Sequence, residues 1–259
     1  MIESYNKIKK FLYLIFFLIL AITFFTRNNF RSPDMINPDV LNEPVQTETE
    51  NQDIIQFTKD DYEYKLTPLY DYEINGLVVH KMDYTWFSIY KTDSVFPLDL
   101  CMIWGENVEN KIYKNKSLKF SQDMRFCFAK WQGQIDFNNN QISNNHLVIQ
   151  DEKIEKELKK ISTGDQVKIK GQLVDIEAKN LGKPGKYDPE YIEWKSSTTR
   201  EDVGSGACEV IYLSDIEILQ KGNSLPHYLF KISFYVLIFL VVIDFFLFFK
   251  KPTGYKSYD

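Results

Sequence analysis

Hydrophobic and polar positions alternate between Gly164 and Glu177. Val167, Ile169, Gly171, Leu173 and Ile176 interleave with Gln166, Lys168, Lys170, Gln172 and Asp175. A period of two is the mark of a strand with one buried face. Gly171 interrupts the pattern, and a glycine inside a strand marks a bend or bulge. Just upstream, in DEKIEKELKKI (151–161), Ile154, Leu158 and Ile161 recur at helical spacing with Glu and Lys on the other face, which predicts a short helix. Further strands are expected at 70–81, with a turn or bulge at Asn75-Gly76, at 97–105, at 125–131, at 143–149, and as a closing strand at 207–219. Residues 179–206 read as a long excursion rich in Gly, Lys, Ser and Thr; a loop this long in a compact domain is usually functional or disordered.

Two apolar blocks stand apart from this pattern. Phe11–Phe25 has no charge, and Phe230–Phe249 carries only Lys231 and Asp244. A membrane-spanning helix needs about 20 mostly apolar residues. The second block meets this, and the first does once Ile8 and the snorkelling Lys9 and Lys10 are counted. The first block also has the basic start and apolar centre of a signal peptide, but it runs into Phe24-Phe25-Thr26-Arg27-Asn28, a poor cleavage site, so an uncleaved anchor is expected. Lys7, Lys9 and Lys10 precede the first block, and Lys250, Lys251 and Lys256 follow the second. Cytoplasmic flanks collect Lys and Arg, which predicts both termini on the cytoplasmic side of the inner membrane and the middle of the chain outside; Arg27 and Arg31 oppose this assignment. The resulting organisation is a cytoplasmic N-terminus (1–10), a transmembrane helix (11–26), a flexible tether (27–56) with Pro33, Pro38, Pro44 and little periodicity, an extracytoplasmic domain (57–220), a second transmembrane helix (227–249) and a cytoplasmic tail (250–259).

Charge and cysteine content narrow the chemistry. From 57 to 220 there are 21 Lys plus Arg against 27 Asp plus Glu, a net of −6; this argues against a nucleic-acid partner, which requires a basic patch. Cys101, Cys127 and Cys208 fit either one disulfide with an odd thiol, the pair undetermined, or three buried small hydrophobes. There is no Cys-x-x-Cys or His-x-x-x-His, so no metal site and no cofactor is expected. The most unusual stretch is SSTTREDVGSGACE (196–209). One reading makes it a polar site in which Arg200 binds an anion, Thr198 and Thr199 add donors, and Arg200, Asp202 and Glu209 hold the site together. The other makes it a loop stapled by its own hydrogen bonds and an Arg–carboxylate pair. A thiol nucleophile would need a histidine base, and Cys127 with His146 and Asp123 is the candidate hydrolase set. In the second apolar block, Asp244 and Lys231 are intramembrane polar residues, and an ionisable residue there is a functional hypothesis by default.

A strand, a short helix, then Gly164-Asp165 leading Val167, Ile169, Gly171 and Leu173, and a final Ile216-Glu217-Ile218-Leu219 together resemble the oligonucleotide/oligosaccharide-binding (OB) fold, a five-stranded Greek-key barrel. The resemblance implies a mainly β fold: an elaborated OB-like barrel with one short helix, flanked by two transmembrane helices. At Trp104-Gly105 with Asn107, at 143–147, at 164–173 and at 196–209 the chain is also similar to a family of uncharacterised bacterial membrane-anchored proteins with one extracytoplasmic β-rich domain. That resemblance implies a coherent domain and assigns no activity. The expected function is a membrane-anchored binding or scaffold module whose partners are the lipid bilayer and a protein or small envelope ligand. A subunit of a membrane complex, engaging partner helices through Asp244 and Lys231, and the Cys127/His146 hydrolase are the alternatives.

Overall fold

The structure is a computed structural model that describes residues 2–26, 35–85, 88–201, 207–222 and 225–249. The chain divides into two compact units, one from its two ends and one from its middle.

The first unit holds α1 (Ile2–Thr26) and α4 (Leu225–Phe249). Both are long and apolar enough to cross a membrane, with mean hydropathy of 2.2 over Lys7–Thr26 and 2.3 over Leu225–Leu247. They run antiparallel, since Lys9 near the start of α1 meets Asp244 near the end of α4 and Phe24 packs on Phe230 at a ring distance of 6.4 Å. Thr23, Ser233 and Leu240 are buried. Small side chains let helix backbones approach in an apolar medium.

The middle unit is mostly strand. An eight-stranded mixed sheet is built from β1 (Val45–Glu48), β2 (Ile55–Lys59), β3 (Tyr62–Asp83), β4 (Leu98–Ile103), β7 (Ile142–Val148), β8 (Gln166–Asn180), β9 (Tyr191–Trp194) and β10 (Cys208–Gln220). A single helical turn, α2 (Glu106–Glu109), follows β4. A separate hairpin, β5 (Lys119–Asp123) with β6 (Phe126–Lys130), follows α2. The helix α3 (Glu152–Lys159) lies between β7 and β8 and is capped by Asp151, whose side chain accepts from Lys153 N at 2.6 Å. Glu152 and Glu155 in its first turn and Lys156 and Lys159 in its last turn suit the helix dipole.

Strand β3 pairs with β4 along one edge and β8 along the other. Strand β4 pairs with β7, β7 runs parallel to β10, and β10 pairs antiparallel with β8. The alternation around Gly171 resolves onto two sides. Val167, Ile169 and Leu173 join Leu98, Leu100, Met102, Trp104 and Leu147 in one core cluster beneath α3's Leu158. Val174, Ile176 and Ala178 turn to a second cluster with Tyr62, Tyr64 and Phe96. The switch of side falls within β8 itself, which is long enough to serve both clusters. Gly171 sits where β8 and β10 cross closely. A Cβ on it would lie 2.2 Å from the Tyr212 carbonyl oxygen, and the ladder shifts register immediately beyond, between Leu213 and Asp215.

Three expectations are corrected. Residues 35–56, read as tether, are built into the sheet unit, while 27–34 lie outside the described residues. Gln166 accepts from Asn37 N and donates to Met35 O, both at 2.7 Å. Val40 is fully buried, and β1 pairs with Tyr70–Glu73. Backbone pairing and polar anchors order this segment in place of an apolar periodicity. Asn75-Gly76 is neither a turn nor a bulge: β3 runs straight through it, and its register shifts fall at Pro68/Tyr70 and Val78/His80. The 179–206 excursion contains β9, which extends the sheet beyond β8, and Trp194 on it packs against Phe96 at 4.8 Å.

Candidate functional site

Arg200 and Glu209 do come together. Their side chains form an ion pair, and Arg200 Nη2 donates to the Tyr72 hydroxyl at 2.6 Å. The guanidinium lies 5.3 Å from the Tyr72 ring centre and 5.7 Å from that of Trp104, within cation–π range. Glu209 precedes Ile211 by two on β10, so it shares the face of the first core cluster. Burial pushes the Tyr72 phenol well above its ordinary range; the Glu209 carboxylate adds to this and Arg200 opposes it. The Arg200 loop is further held by Ser197 N donating to Cys208 O at 2.8 Å and by Gln46 Nε2 donating to Thr198 O at 3.2 Å. Thr199 contributes its hydroxyl oxygen to the Glu201 amide at 2.9 Å. The guanidinium that was to bind an anion already holds Glu209, so the stapled-loop reading fits the geometry. Asp202 lies outside the described residues.

A second ionic cluster sits on the opposite face of β4. Asp99, between the core residues Leu98 and Leu100, is fully buried. Arg125 Nη1 donates to both its oxygens, at 3.1 and 3.2 Å, Tyr84 OH donates to Oδ2 at 3.0 Å, and His146 Nδ1 lies 2.9 Å from Oδ1. Arg125 also pairs with Asp93, which accepts from Ser88, and its guanidinium lies 4.1 Å from the centre of the Tyr84 ring. Burial disfavours the charged His146, but Asp99, helped by Cys208, outweighs it and raises the imidazole to about 9. Arg125 and Met124 occupy the β5–β6 turn with positive φ, 66° and 44°. A left-handed backbone costs a side-chain-bearing residue about 1–2 kcal/mol, so the turn stands where Arg125 can enter the acid pocket.

The hydrolase set is not assembled. Cys127 forms a disulfide with Cys101, their Cα atoms 5.7 Å apart, and so is no nucleophile. Asp123 pairs in register with Phe126 at the end of the hairpin, while the carboxylate beside His146 is Asp99. Cys208 is the free cysteine, and it is buried.

Comparison with protein-family models, curated proteins and solved structures found no match to this chain. Its own geometry carries the functional reading.

An open trough of about 490 Å³ crosses the sheet over β1, β3, β8 and β10. Val45, Thr47, Asp71, Glu73, Lys170, Gln172, Tyr212 and Ser214 line it, and Gly171 and Tyr72 lie along it. The ladders set this up. Val45 opposes Glu73 and Glu73 opposes Lys170; Thr47 opposes Asp71, Asp71 opposes Gln172, and Gln172 opposes Tyr212. These residues therefore share the face away from the first core cluster. Gln172 Nε2 donates to Asp71 at 3.0 Å and to Thr49 at 2.7 Å, and Lys170 pairs with Glu73 at 3.0 Å. Burial works against ionised Glu73, but the ammonium groups of Lys170 and Lys168 hold its carboxyl below the usual range. Tyr72 lies along the trough, but its side chain turns to the other face of β3, into the first core cluster and onto Arg200, so the predicted loop is not part of this site. The trough's residues were visible only as the polar half of ordinary strand alternation.

In the helical unit, Asp244 accepts from Lys9 Nζ at 2.7 Å and from Tyr13 OH at 3.0 Å. Lys231, by contrast, is exposed.

Proposed function

We propose that the protein is a membrane-anchored binding module that displays an OB-like β-barrel outside the cytoplasm and holds a hydroxyl-rich polar ligand, an envelope saccharide, in the β1–β3–β8–β10 trough. The trough carries this reading: its volume lies within the range of ligand sites, roughly 300–1,000 Å³, and its lining is a row of planar carboxylates and an amide beside hydroxyls and one tyrosine. Such groups match vicinal hydroxyls, and a tyrosine ring suits the C–H face of a sugar. An extended peptide would instead add along an open strand edge; the floor of the trough, β3 and β8, is paired on both edges, and only β1 at its rim is paired on one.

The OB-like reading is supported by the pairing order β3–β4–β7–β10–β8, with β8 returning to β3, and by α3 between β7 and β8. The antiparallel α1 and α4 favour termini on one side of a bilayer, and their lysine flanks favour the cytoplasmic side. Since Asp244 is engaged by Lys9 and Tyr13, the complex-subunit alternative rests on Lys231.

Calorimetric titration of the full chain in lipid nanodiscs with defined peptidoglycan and capsular oligosaccharides tests the proposal. Saturable binding is expected to weaken about 10-fold or more, about 1.4 kcal/mol, when Ser214→Trp fills the trough. No saturable binding to these sugars, or binding that Ser214→Trp leaves unchanged, overturns it.

A further inference from the structure

A third core cluster, around Val79, Ile103 and Tyr113, lies on the face of β3 and β4 opposite the first. Phe120, Cys127 and Ala129 of the β5–β6 hairpin pack on it. So do Ile36 and Leu219, which stand near the two ends of the sheet unit. Residues 27–34 and 223–224 are all that separate the described residues of that unit from α1 and α4. A fully extended chain spans at most about 3.6 Å per residue, so the second join reaches only about 11 Å. The hairpin therefore stands at the end of the unit from which the chain leaves for its two membrane-length helices.

The other face of the hairpin is largely open to solvent. The ladder sends Lys119, Ser121 and Asp123 of β5 and Phe126, Phe128 and Lys130 of β6 to that side. The Phe126 and Phe128 rings lie 6.4 Å apart, and Lys130 Nζ lies 4.9 Å from the centre of the Phe128 ring. Met124 at the tip is 81% exposed, and Trp131 just past β6 is exposed as well.

Positive charge gathers here against the trend of the domain. Lys111, Lys114, Lys116, Lys119 and Lys130 are all exposed, and among the described residues none of them forms an ion pair. Lys119 and Lys130 oppose each other directly in the ladder. Like charges so placed destabilise a strand pair, and a negative surface over them would relieve it. Asp123 is the one carboxylate in 111–131, with Glu109 before the stretch and Asp136 after it. The hairpin is also fixed in place, by the Cys101–Cys127 disulfide, by Arg125 on Asp93 and Asp99, and by Gln122 donating to Asn144 at 2.7 Å. A face held in position before contact loses little freedom on docking.

We infer that the outer face of the β5–β6 hairpin, with the lysines that lead into it, docks on anionic lipid headgroups of the bilayer that α1 and α4 enter. Lysines interleaved with Phe and Trp are the makeup of surfaces that settle at headgroup level, rings at the interface and ammonium groups at the phosphates. A soluble acidic partner would explain the lysines but not the exposed Met124, Phe128 and Trp131 beside them. The two-residue join keeps the bilayer within reach of this end of the unit. This docking depends on the membrane association of α1 and α4 and not on what the trough holds.

Acetylation of lysines by N-hydroxysuccinimide acetate, read residue by residue by mass spectrometry, tests it. The full chain is compared in nanodiscs of phosphatidylcholine alone and of equal parts phosphatidylcholine and phosphatidylglycerol. Lys153, Lys156, Lys183 and Lys186, exposed elsewhere on the unit, serve as the internal reference. Labelling at Lys111, Lys114, Lys116, Lys119 and Lys130 is expected to fall by about 5-fold or more in the anionic discs as headgroups cover them. It is expected to recover in about 1 M salt, where the screening length is about 3 Å. Lys119→Glu with Lys130→Glu should abolish protection of the other three lysines and leave saccharide titration at the trough unchanged, so failure here is distinct from failure of that reading. Should the double variant not fold, the two discs and the salt reversal decide alone. Equal labelling in both discs, or an equal fall at the reference lysines, overturns the proposal. Protection that appears only when an envelope extract is added also overturns it, since that assigns the face to a protein or polymer.

Discussion

The charge on His146 makes the stability of the β unit depend on pH in a defined direction. With its imidazole raised to about 9 in the folded chain against about 6.5 unfolded, the folded state binds the proton more tightly. Below pH 6.5 both states are protonated and the Asp99 interaction contributes in full. Between 6.5 and 9 the folded state holds more protons than the unfolded state, so stability falls as pH rises by about 1.4 kcal/mol per unit. Above 9 the contribution is gone. The whole span is worth about 3 kcal/mol at 1.36 kcal/mol per unit, a sizeable part of the 5–15 kcal/mol typical of a domain. Urea titration of the full chain in mild detergent, followed by the fluorescence of the buried Trp104, measures it at pH 6, 7.5 and 9. His146→Gln is expected to cost about 3 kcal/mol at pH 6 and to flatten the slope. A midpoint that stays level from pH 6 to 9, or the same slope in His146→Gln, would refute the assignment of His146 and Asp99 as an ion pair.

Gly171→Ala is expected to destabilise the β unit by about 2–3 kcal/mol, as overpacking does, because the new methyl lies 2.2 Å from the Tyr212 carbonyl oxygen and backbone cannot rotate away; thermal unfolding followed by circular dichroism checks this. Arg200→Met leaves Glu209 buried without its cation and is expected to cost about 3–5 kcal/mol. Adding Glu209→Gln should recover most of that loss, and a double variant no more stable than the single one would show that the pair does not act as a unit.

Period-two alternation and helical spacing located β8 and α3 because each buries one face against a core. The two apolar helices were legible from length alone. What the sequence conceals is partnership. Nothing local reveals that β7 and β10 run parallel or that β8 meets both β10 and β3. The acid pocket left one signal: Asp99 stands inside PLDLCMIWG, a run otherwise apolar, and a carboxylate in a fully buried strand requires a cation. That cation, Arg125, comes from a turn 26 positions away. His146 was noticed but set with Cys127 and Asp123 because a thiol nucleophile needs a histidine; the ladder instead places Asp99 beside it, and Cys127 is taken by the disulfide with Cys101. Residues 35–56 misled for a related reason. Their order comes from Gln166, from Glu43 accepting Trp104 Nε1 at 2.8 Å, and from pairing with β3, none of which composition records.

The two arginines explain how a small paired core carries such large insertions. The stretch between β4 and β7 returns through Arg125 into Asp93 and Asp99, and the stretch between β9 and β10 returns through Arg200 onto Glu209. The first pocket lies on the outer face of the sheet and the second on the core face, so each insertion is fixed from a different side. A buried ion pair adds little net stability over an apolar substitute, yet removing one partner is costly. Such pairs therefore select one seating for each insertion more than they strengthen the fold. Lysine would not serve as well, since the forked guanidinium reaches Asp93 and Asp99 at once while stacking on Tyr84. With both arginines committed to carboxylates, the trough over Gly171 is left as a surface where polar side chains meet solvent over paired strands.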